Sequence, residues 1–95
     1  MASYRWTRHA QKHLAAAITY TEKNFPPSWV ENLKDAIKSL EDAIVANAMI
    51  PKRTGRVKGT YEIDFTPLPY FMSVRIKSND DYEILALLHK RRKYP

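Results

Sequence analysis

The apolar pattern of this chain changes at Pro51, from a helical period before that residue to a period of two after it. The helical part contains two apolar stripes, and the pair Pro26-Pro27 separates them. Proline lacks a backbone N–H and disfavours helix in the residue before it, so the first helix is predicted to end at Asn24. Two helices joined by so short a turn are predicted to pack as an antiparallel hairpin.

Local signals in front of each helix predict how the first elements begin. The alternation of Tyr4-Arg5-Trp6 is typical of a short strand. Thr7 is suited to cap the first helix, because a threonine oxygen can accept a hydrogen bond from the first turn. Ser28-Trp29-Val30-Glu31 has the spacing of a capping box, which predicts that the second helix begins there.

Three strands are predicted after the change of period. Apolar and polar residues alternate over 61–65 and over 70–76, and residues 82–88 are nearly all apolar, as in a strand covered on both sides. Turn formers at 67–69 and 78–81 connect them. The predicted fold is a single α+β domain over residues 1–95. It has an N-terminal strand, an antiparallel helical hairpin and a three-stranded antiparallel meander (β-α-α-β-β-β), with the helices on one sheet face.

Positive charge is concentrated in two short segments. The 16 Lys and Arg residues outnumber the 10 Asp and Glu residues, and the net charge is +6. Charge of this sign and placement favours an anionic partner, such as nucleic acid or an acidic protein segment. Half of the cations form the two clusters Lys52, Arg53, Arg56 and Lys58, and Lys90, Arg91, Arg92 and Lys93.

Composition narrows the chemistry that the chain can perform. Without cysteine there is no disulfide framework, thiolate metal site or cysteine nucleophile. His9 and His13 lie one helical turn apart, but no third ligand is close in sequence, so neither a metal nor a cofactor is expected. No stretch is apolar enough for a signal peptide or a membrane span, which predicts a cytoplasmic protein that makes no membrane contact.

Three motifs occur in register through the second half of the chain. They are Gly55-Arg56-x-x-Gly59-Thr60-Tyr61-Glu62-Ile63, the strand start Pro69-Tyr70, and Glu83-Ile84-Leu85-x-Leu87-x-His89-x-x-Arg92-x-Tyr94-Pro95. Together with the element order, they resemble the RelE/ParE superfamily of type II toxin–antitoxin toxins, and the ParE branch in particular. The resemblance implies a small toxin of a plasmid stabilisation or addiction module. A flexible segment of a cognate antitoxin would wrap around such a toxin and neutralise it.

The superfamily divides by target, and individual residues bear on that division. ParE-like members poison DNA gyrase, whereas RelE- and YoeB-like members cut mRNA on the ribosome. RelE-like nucleases present lysines at two alternate positions of the strand after the helical hairpin. In this chain the matching positions resemble Glu62 and Asp64, and Phe71 stands where those nucleases have an arginine. Carboxylates in place of cations repel a phosphate. The resemblance therefore implies growth inhibition by binding DNA gyrase, without enzymatic activity. The alternatives are a ribosome-dependent mRNA endonuclease and a basic nucleic-acid-binding module.

Candidate site residues follow from the motifs and from the basic clusters. If the chain were a nuclease, Arg75, His89 and Tyr94 would be its catalytic residues; otherwise no catalytic residue is expected. Two of these have simpler structural alternatives, namely an Arg75–Glu83 cross-strand pair and a strand-end histidine at position 89. The antitoxin is expected to lie along the helical hairpin and the sheet edge as an extended or helical segment. The predicted target-binding residues are Arg56, Lys58, Arg75, His89, Arg91, Arg92 and Tyr94.

Four aromatic residues have spacings that place them with the apolar stripes. We expect them to belong to the core and not to form a platform for stacking bases. They are Phe25, Trp29, Tyr61 and Phe65.

Overall fold

The computed structural model describes residues 2–78 and 80–90, which form two helices packed on one face of a five-stranded sheet. The sheet order is β1-β5-β4-β3-β2; β1 pairs with β5 in parallel and the other neighbours are antiparallel. In chain order the elements are β1 (Tyr4–Trp6), α1 (Arg8–Asn24), α2 (Pro27–Val45), β2 (Arg53–Thr54), β3 (Thr60–Asp64), β4 (Tyr70–Ile76) and β5 (Tyr82–His89).

The predicted α+β fold and its order of strand, helical hairpin and antiparallel meander are confirmed. The structure adds the two-residue strand β2, in which Arg53 pairs with Glu62 and Thr54 with Tyr61. Two residues are too few to show a period of two, so the pattern of the sequence could not indicate this strand. The parallel pairing of β1 with β5 makes the sheet mixed. Parallel neighbours need a long connection, and the chain between β1 and β5 includes the helical hairpin that packs on the sheet face.

Thr7 fastens the start of α1 to the sheet. Its hydroxyl oxygen accepts from the backbone N–H of Ala10 at 3.1 Å, which confirms the predicted cap. The same hydroxyl donates to the carbonyl of Ile84 in β5 at 2.9 Å, and the Thr7 backbone N–H donates to that carbonyl at 3.0 Å. One residue therefore both begins the helix and fixes its position against the central strands.

The predicted capping box at Ser28 is wrong. Helix α2 begins at Pro27 with Pro26 as its N-cap, and no side chain caps it. Proline suits the first helical position because its fixed φ is helical and its missing N–H would have no intrahelical partner there. Pro27 also holds the residue before it in an extended conformation, and Pro26 has ψ of 153°. Ser28 consequently lies inside the first turn, two positions after the N-cap.

The connection from β2 to β3 is a hairpin that depends on both glycines of the chain. Gly59 has φ of +85°, a conformation that residues with a Cβ rarely adopt. A Cβ on Gly55 would lie 2.3 Å from the hydroxyl oxygen of Thr60, so no side chain fits there. The Gly55 N–H donates to the Thr60 carbonyl at 2.9 Å and closes the hairpin.

A β-bulge in β5 decides which side chains of that strand face the helices. Ser73 pairs with Ala86 but Val74 pairs with Ile84, so Leu85 is an extra residue with no partner in β4. Ile84 and Leu87 are both buried in the core beneath the helices, although an odd number of positions separates them. The bulge thereby shifts the alternation by one and brings His89 to the helical side.

Candidate functional site

The sheet face opposite the helices carries paired charges. Arg53 bonds to Glu62 at 2.9 Å and to Asp64 at 2.6 Å, and its guanidinium lies 5.5 Å from the centroid of the Phe71 ring. The hydrogen bond that Arg53 donates to Asp64 holds the pKa of Asp64 below its usual value and raises the pKa of Arg53. Lys90 reaches the same Asp64 carboxylate at 3.8 Å.

A second charged group lies at the other end of this open face. Arg75 and Glu83 are cross-strand partners with 3.6 Å between their charged atoms, which confirms the predicted pair. Arg5 from β1 also bonds to Glu83. The two arginines are substantially exposed, so each pair contributes on the order of 0–1 kcal/mol to stability. The main consequence of the pair is that the Arg75 side chain is oriented toward the carboxylate of Glu83.

The predicted target-binding residues divide between two ends of the sheet. Arg56 and Lys58 lie in the β2–β3 hairpin, next to the Thr60–Arg75 pair. His89 pairs with Tyr70, five positions along β4 from Arg75, which is about 17 Å at strand rise. Arg75 and His89 are therefore not brought together as a catalytic pair. The other three predicted residues, Arg91, Arg92 and Tyr94, lie outside the described residues.

His89 forms part of a cavity between the helical hairpin and the end of the sheet. Its ring stands edge-on to Tyr70 at 5.3 Å and to Tyr20 at 5.7 Å between centroids. The cavity has a volume of about 510 Å³. Helix α1, the turn into α2, the loop before β4 and the end of β5 supply its walls, which are His13, Ala16, Ala17, Tyr20, Phe25, Trp29, Pro67, Pro69, Tyr70, Leu87, Leu88 and His89.

The aromatic residues expected in the core have three different environments. Phe65 is buried as expected, whereas Tyr61 is 37% exposed, so the expectation is wrong for Tyr61. Phe25 and Trp29 are half-buried and stack on each other, with centroids 4.5 Å apart and planes 11° from parallel. They flank the proline turn at a spacing of four residues, and this stacked pair forms one wall of the cavity.

Fixed polar atoms lie among the apolar walls of the cavity. The Tyr70 hydroxyl donates to the carbonyl of Ala17 at 3.3 Å and shares a 3.0 Å hydrogen bond with the hydroxyl of Thr21. His13 Nδ1 accepts from the Leu87 backbone N–H at 3.3 Å, so in neutral His13 the proton is on Nε2. An apolar cavity of this size with a few oriented polar groups is suited to binding a flat or apolar group.

His9 and His13 have ring centroids 4.2 Å apart on α1. Within residues 2–78 and 80–90, no group of three or more histidines or carboxylates is placed to hold a metal ion. In the same ranges, neither helix combines the length and the hydropathy of a membrane span.

Comparison with known proteins decides the family. The model of the family described as "ParE toxin of type II toxin-antitoxin system, parDE" matches residues 4–94. The chain belongs to this family. It is 31% identical over 93 residues to "Putative toxin Y4kP" of Sinorhizobium fredii, covering 96% of this chain and 91% of that protein. The resemblance to the ParE branch is thus confirmed, and the chain is a toxin of a type II toxin–antitoxin system.

Two solved structures show the same fold. The chromosomal ParDE system of P. aeruginosa contains a chain with a TM-score of 0.73 at 23% identity, over 94% of this chain and 96% of that one. A YoeB/ParE toxin from Agrobacterium tumefaciens has a TM-score of 0.50 at 14% identity, over 92% and 96% of the two chains. At these identities the likeness concerns the fold alone.

In this ParE-family toxin, the motifs that carry the resemblance have structural roles in the described residues. Gly55 and Gly59 shape the hairpin that presents Arg56 and Lys58. Pro69 and Tyr70 form one wall of the cavity. The sequence analysis did not predict this cavity, although one signal was available. Phe25 and Trp29, on the two sides of the proline turn, are four residues apart, a spacing that can bring two side chains together.

Proposed function

We propose that this toxin arrests growth by docking on a large target, with DNA gyrase as the first candidate, and that it does not cut RNA. The observation that carries the proposal is that Arg53 is bonded to both Glu62 and Asp64 on the open sheet face, between the edge strand β2 and its neighbour β3. These carboxylates stand where the resemblance to RelE-like nucleases places lysines. Membership of the ParE family supports the same choice.

The electrostatics of the open face explain why docking is favoured over RNA cleavage. Cleavage by a 2′-hydroxyl needs a base, an acid and a group that offsets the charge growing on the phosphate. The cations of this face that could serve, Arg5, Arg53, Arg75 and Lys90, each lie within 4 Å of a carboxylate. A phosphate approaching any of them meets a negative group at the same distance, so the net attraction is small.

A ribosome-dependent mRNA endonuclease is the second candidate, and one observation favours it. His89 lies beside Tyr20 and Tyr70 at the edge of the aromatic cavity. A histidine beside stacking surfaces has two of the components of a base-binding nuclease site. The distance from Arg75 is the argument against this candidate, because the phosphate-stabilising cation would have to come from another residue.

A cognate antitoxin is the partner that membership of a toxin–antitoxin family supports. In the proposal it neutralises the toxin by laying a flexible segment along the helical hairpin and the sheet edge. Growth arrest, a role in plasmid stabilisation and a cytoplasmic location belong to the same proposal. The segment would order on binding, which suits control by proteolysis of the antitoxin.

Induced expression with two simultaneous readouts tests the proposal. DNA supercoiling with gyrase-dependent strand breaks, and the integrity of mRNA, are followed in the same cells. The proposal predicts altered supercoiling with intact mRNA soon after induction. A chain stopped after Lys90 retains every contact described for the sheet and serves as the matched variant for the basic tail. Early cleavage of mRNA with normal supercoiling would refute docking on gyrase and support the second candidate.

A further inference from the structure

The turn at the end of the β2–β3 hairpin has a fixed backbone. The Thr60 N–H donates to the carbonyl of Val57 at 3.1 Å, and the Thr60 hydroxyl donates to the same carbonyl at 2.6 Å. Thr60 is 3% exposed, so these bonds are shielded from water, and Gly59 contributes the positive φ of the turn. The side chains of the turn therefore start from set positions, which lowers the entropy that is lost when a partner binds.

The turn presents a side chain that neither burial nor turn chemistry explains. Val57 is 64% exposed and occupies the first position of the turn 57–60. Aspartate, asparagine and serine are favoured at this position because their side chains can bond to the backbone of the turn. Valine prefers strands, where its branched side chain packs against neighbours. A residue that departs from local preference without packing in the core is a candidate for contact with a partner.

Positive charge surrounds Val57. It stands between Arg56 and Lys58, which are both exposed. In the sequence, no aspartate or glutamate occurs between Asp42 and Glu62. The charge of the turn therefore favours a partner that offers carboxylates or phosphates.

The apolar side chain decides between these two classes of anion. Interfaces between proteins have an apolar core and a polar rim, and a valine flanked by two cations has this arrangement on a small scale. A nucleic-acid backbone offers phosphates and sugars, so a valine between two phosphate-binding cations gains little there. The same hairpin also exposes 37% of Tyr61, and tyrosine is enriched where the energy of protein–protein binding is concentrated. These features favour an acidic protein surface.

We propose that the turn Arg56-Val57-Lys58 docks on an acidic surface of a protein partner. Val57 enters a shallow apolar depression, and Arg56 and Lys58 pair with carboxylates on either side of it. The inference rests on the proposed docking on a large target and adds the chemistry of the surface that this target offers to the hairpin. It assigns a role to Val57, which neither the motifs nor the basic clusters singled out.

NMR titration of the full chain with two synthetic peptides tests the contact without any assumption about the cellular target. One peptide has a single leucine between two runs of three aspartates, and the other has serine in place of the leucine. We expect the leucine peptide to shift the Val57 methyl and Gly59 N–H resonances. It should bind about fivefold more tightly than the serine peptide, because burial of an apolar side chain favours binding.

Three variants locate the contact on the chain. Val57→Ser should remove the preference for the leucine peptide, whereas Lys58→Gln should weaken the binding of both peptides to the same extent. Val45→Ser is the matched control, because Val45 is 54% exposed and residues 43–47 carry no charge. We expect this control to retain the preference of the unmodified chain.

Each result of the titrations bears on the proposal. A preference for leucine that Val57→Ser removes and Val45→Ser retains establishes the contact. Equal binding of the two peptides, or resonances of Val57 and Gly59 that do not move, overturns it. A short DNA duplex is titrated in parallel. If the duplex binds more tightly than the leucine peptide and Val57→Ser leaves its affinity unchanged, the turn contacts phosphates, which also overturns the proposal.

Binding of the unmodified chain to purified DNA gyrase separates this inference from the proposed function. Absence of gyrase binding, together with a leucine preference that depends on Val57, refutes gyrase as the target and retains the contact. Equal binding of the two peptides by a chain that does bind gyrase refutes only the inference and leaves the proposed function standing.

Discussion

The buried hydroxyl pair between Tyr70 and Thr21 gives the most quantitative prediction. Thr21 is 1% exposed and Tyr70 is 4% exposed, and their hydroxyl oxygens are 3.0 Å apart. Tyr70→Phe removes one hydroxyl and leaves the other without this partner in a buried site. The loss of the hydrogen bond costs about 1 kcal/mol, and a buried hydroxyl left unpaired costs about 1–3 kcal/mol. Tyr70→Phe also frees the carbonyl of Ala17, and donation from the Thr21 hydroxyl to this carbonyl four residues earlier would limit the second cost.

We therefore expect Tyr70→Phe to lower the free energy of unfolding by about 1.5–2 kcal/mol. For a domain of this size, each kcal/mol corresponds to about 4–8 °C in Tm. Thr21→Val removes the other hydroxyl with little change of shape and should cost a similar amount. The double variant should cost less than the sum of the two, because replacing both polar partners with apolar groups leaves neither unpaired.

Urea unfolding of the four proteins of this double-mutant cycle measures the coupling. We expect a coupling energy of about 1 kcal/mol between the two hydroxyls. If the two costs add within about 0.3 kcal/mol, the two hydroxyls do not interact, which contradicts the hydrogen bond between Tyr70 and Thr21. Unchanged m-values are the control that the denatured states of the variants are comparable.

Three further predictions concern single contacts, and each is checked by urea unfolding. Arg53→Gln should lower stability at pH 7 by about 1 kcal/mol or less. The pKa of Asp64 is lowered in the folded state, so its contribution is present above the ordinary aspartate pKa and is lost as pH falls through the folded value; Arg53→Gln should shrink this acid-side loss. Gly59→Ala should cost about 1–2 kcal/mol because φ is +85°, and a neutral effect would contradict the hairpin geometry. Thr7→Ala should cost about 1 kcal/mol, and an unchanged midpoint would show that the cap is dispensable.

Periodicity predicted the two helices and every strand except β2, because burial imposes a period on the sequence of an element. The stripe of α2 that includes Leu33, Ile37 and Ile44 is buried as its spacing indicates. Local competition was harder to predict. Ser28 and Pro27 both offer a helix start, and the proline prevails because its ring fixes φ while the serine cap only adds one hydrogen bond. Where a sequence contains both signals, the backbone conformation must be known before the first residue of the helix can be assigned.

The candidate site was less predictable than the fold, for a physical reason at Leu85. Strict alternation along β5 would place His89 on the open face, together with Glu83. The bulge reverses this and puts the ring against Tyr20 on α1. A bulge is set by how two strands and the layer above them fit together, and apolar residues on both sides of the strand left no pattern in the sequence that could reveal it. The cavity depends on that reversal, since His89 would otherwise not line it.

The separation between the two ends of the sheet limits which partner could use both. Arg56 and Lys58 extend from the hairpin at one end, and Lys90 is fixed at the other, with the length of β4 between them. At about 17 Å or more, a single phosphate or a small ligand cannot contact both ends at once. The open face between them is close to electrically balanced, because Arg53 and Arg75 are held by carboxylates. A partner that engages both ends must therefore span the sheet and be a macromolecule. Docking on a large target meets this requirement, whereas cleavage at one phosphate does not need contact with both ends.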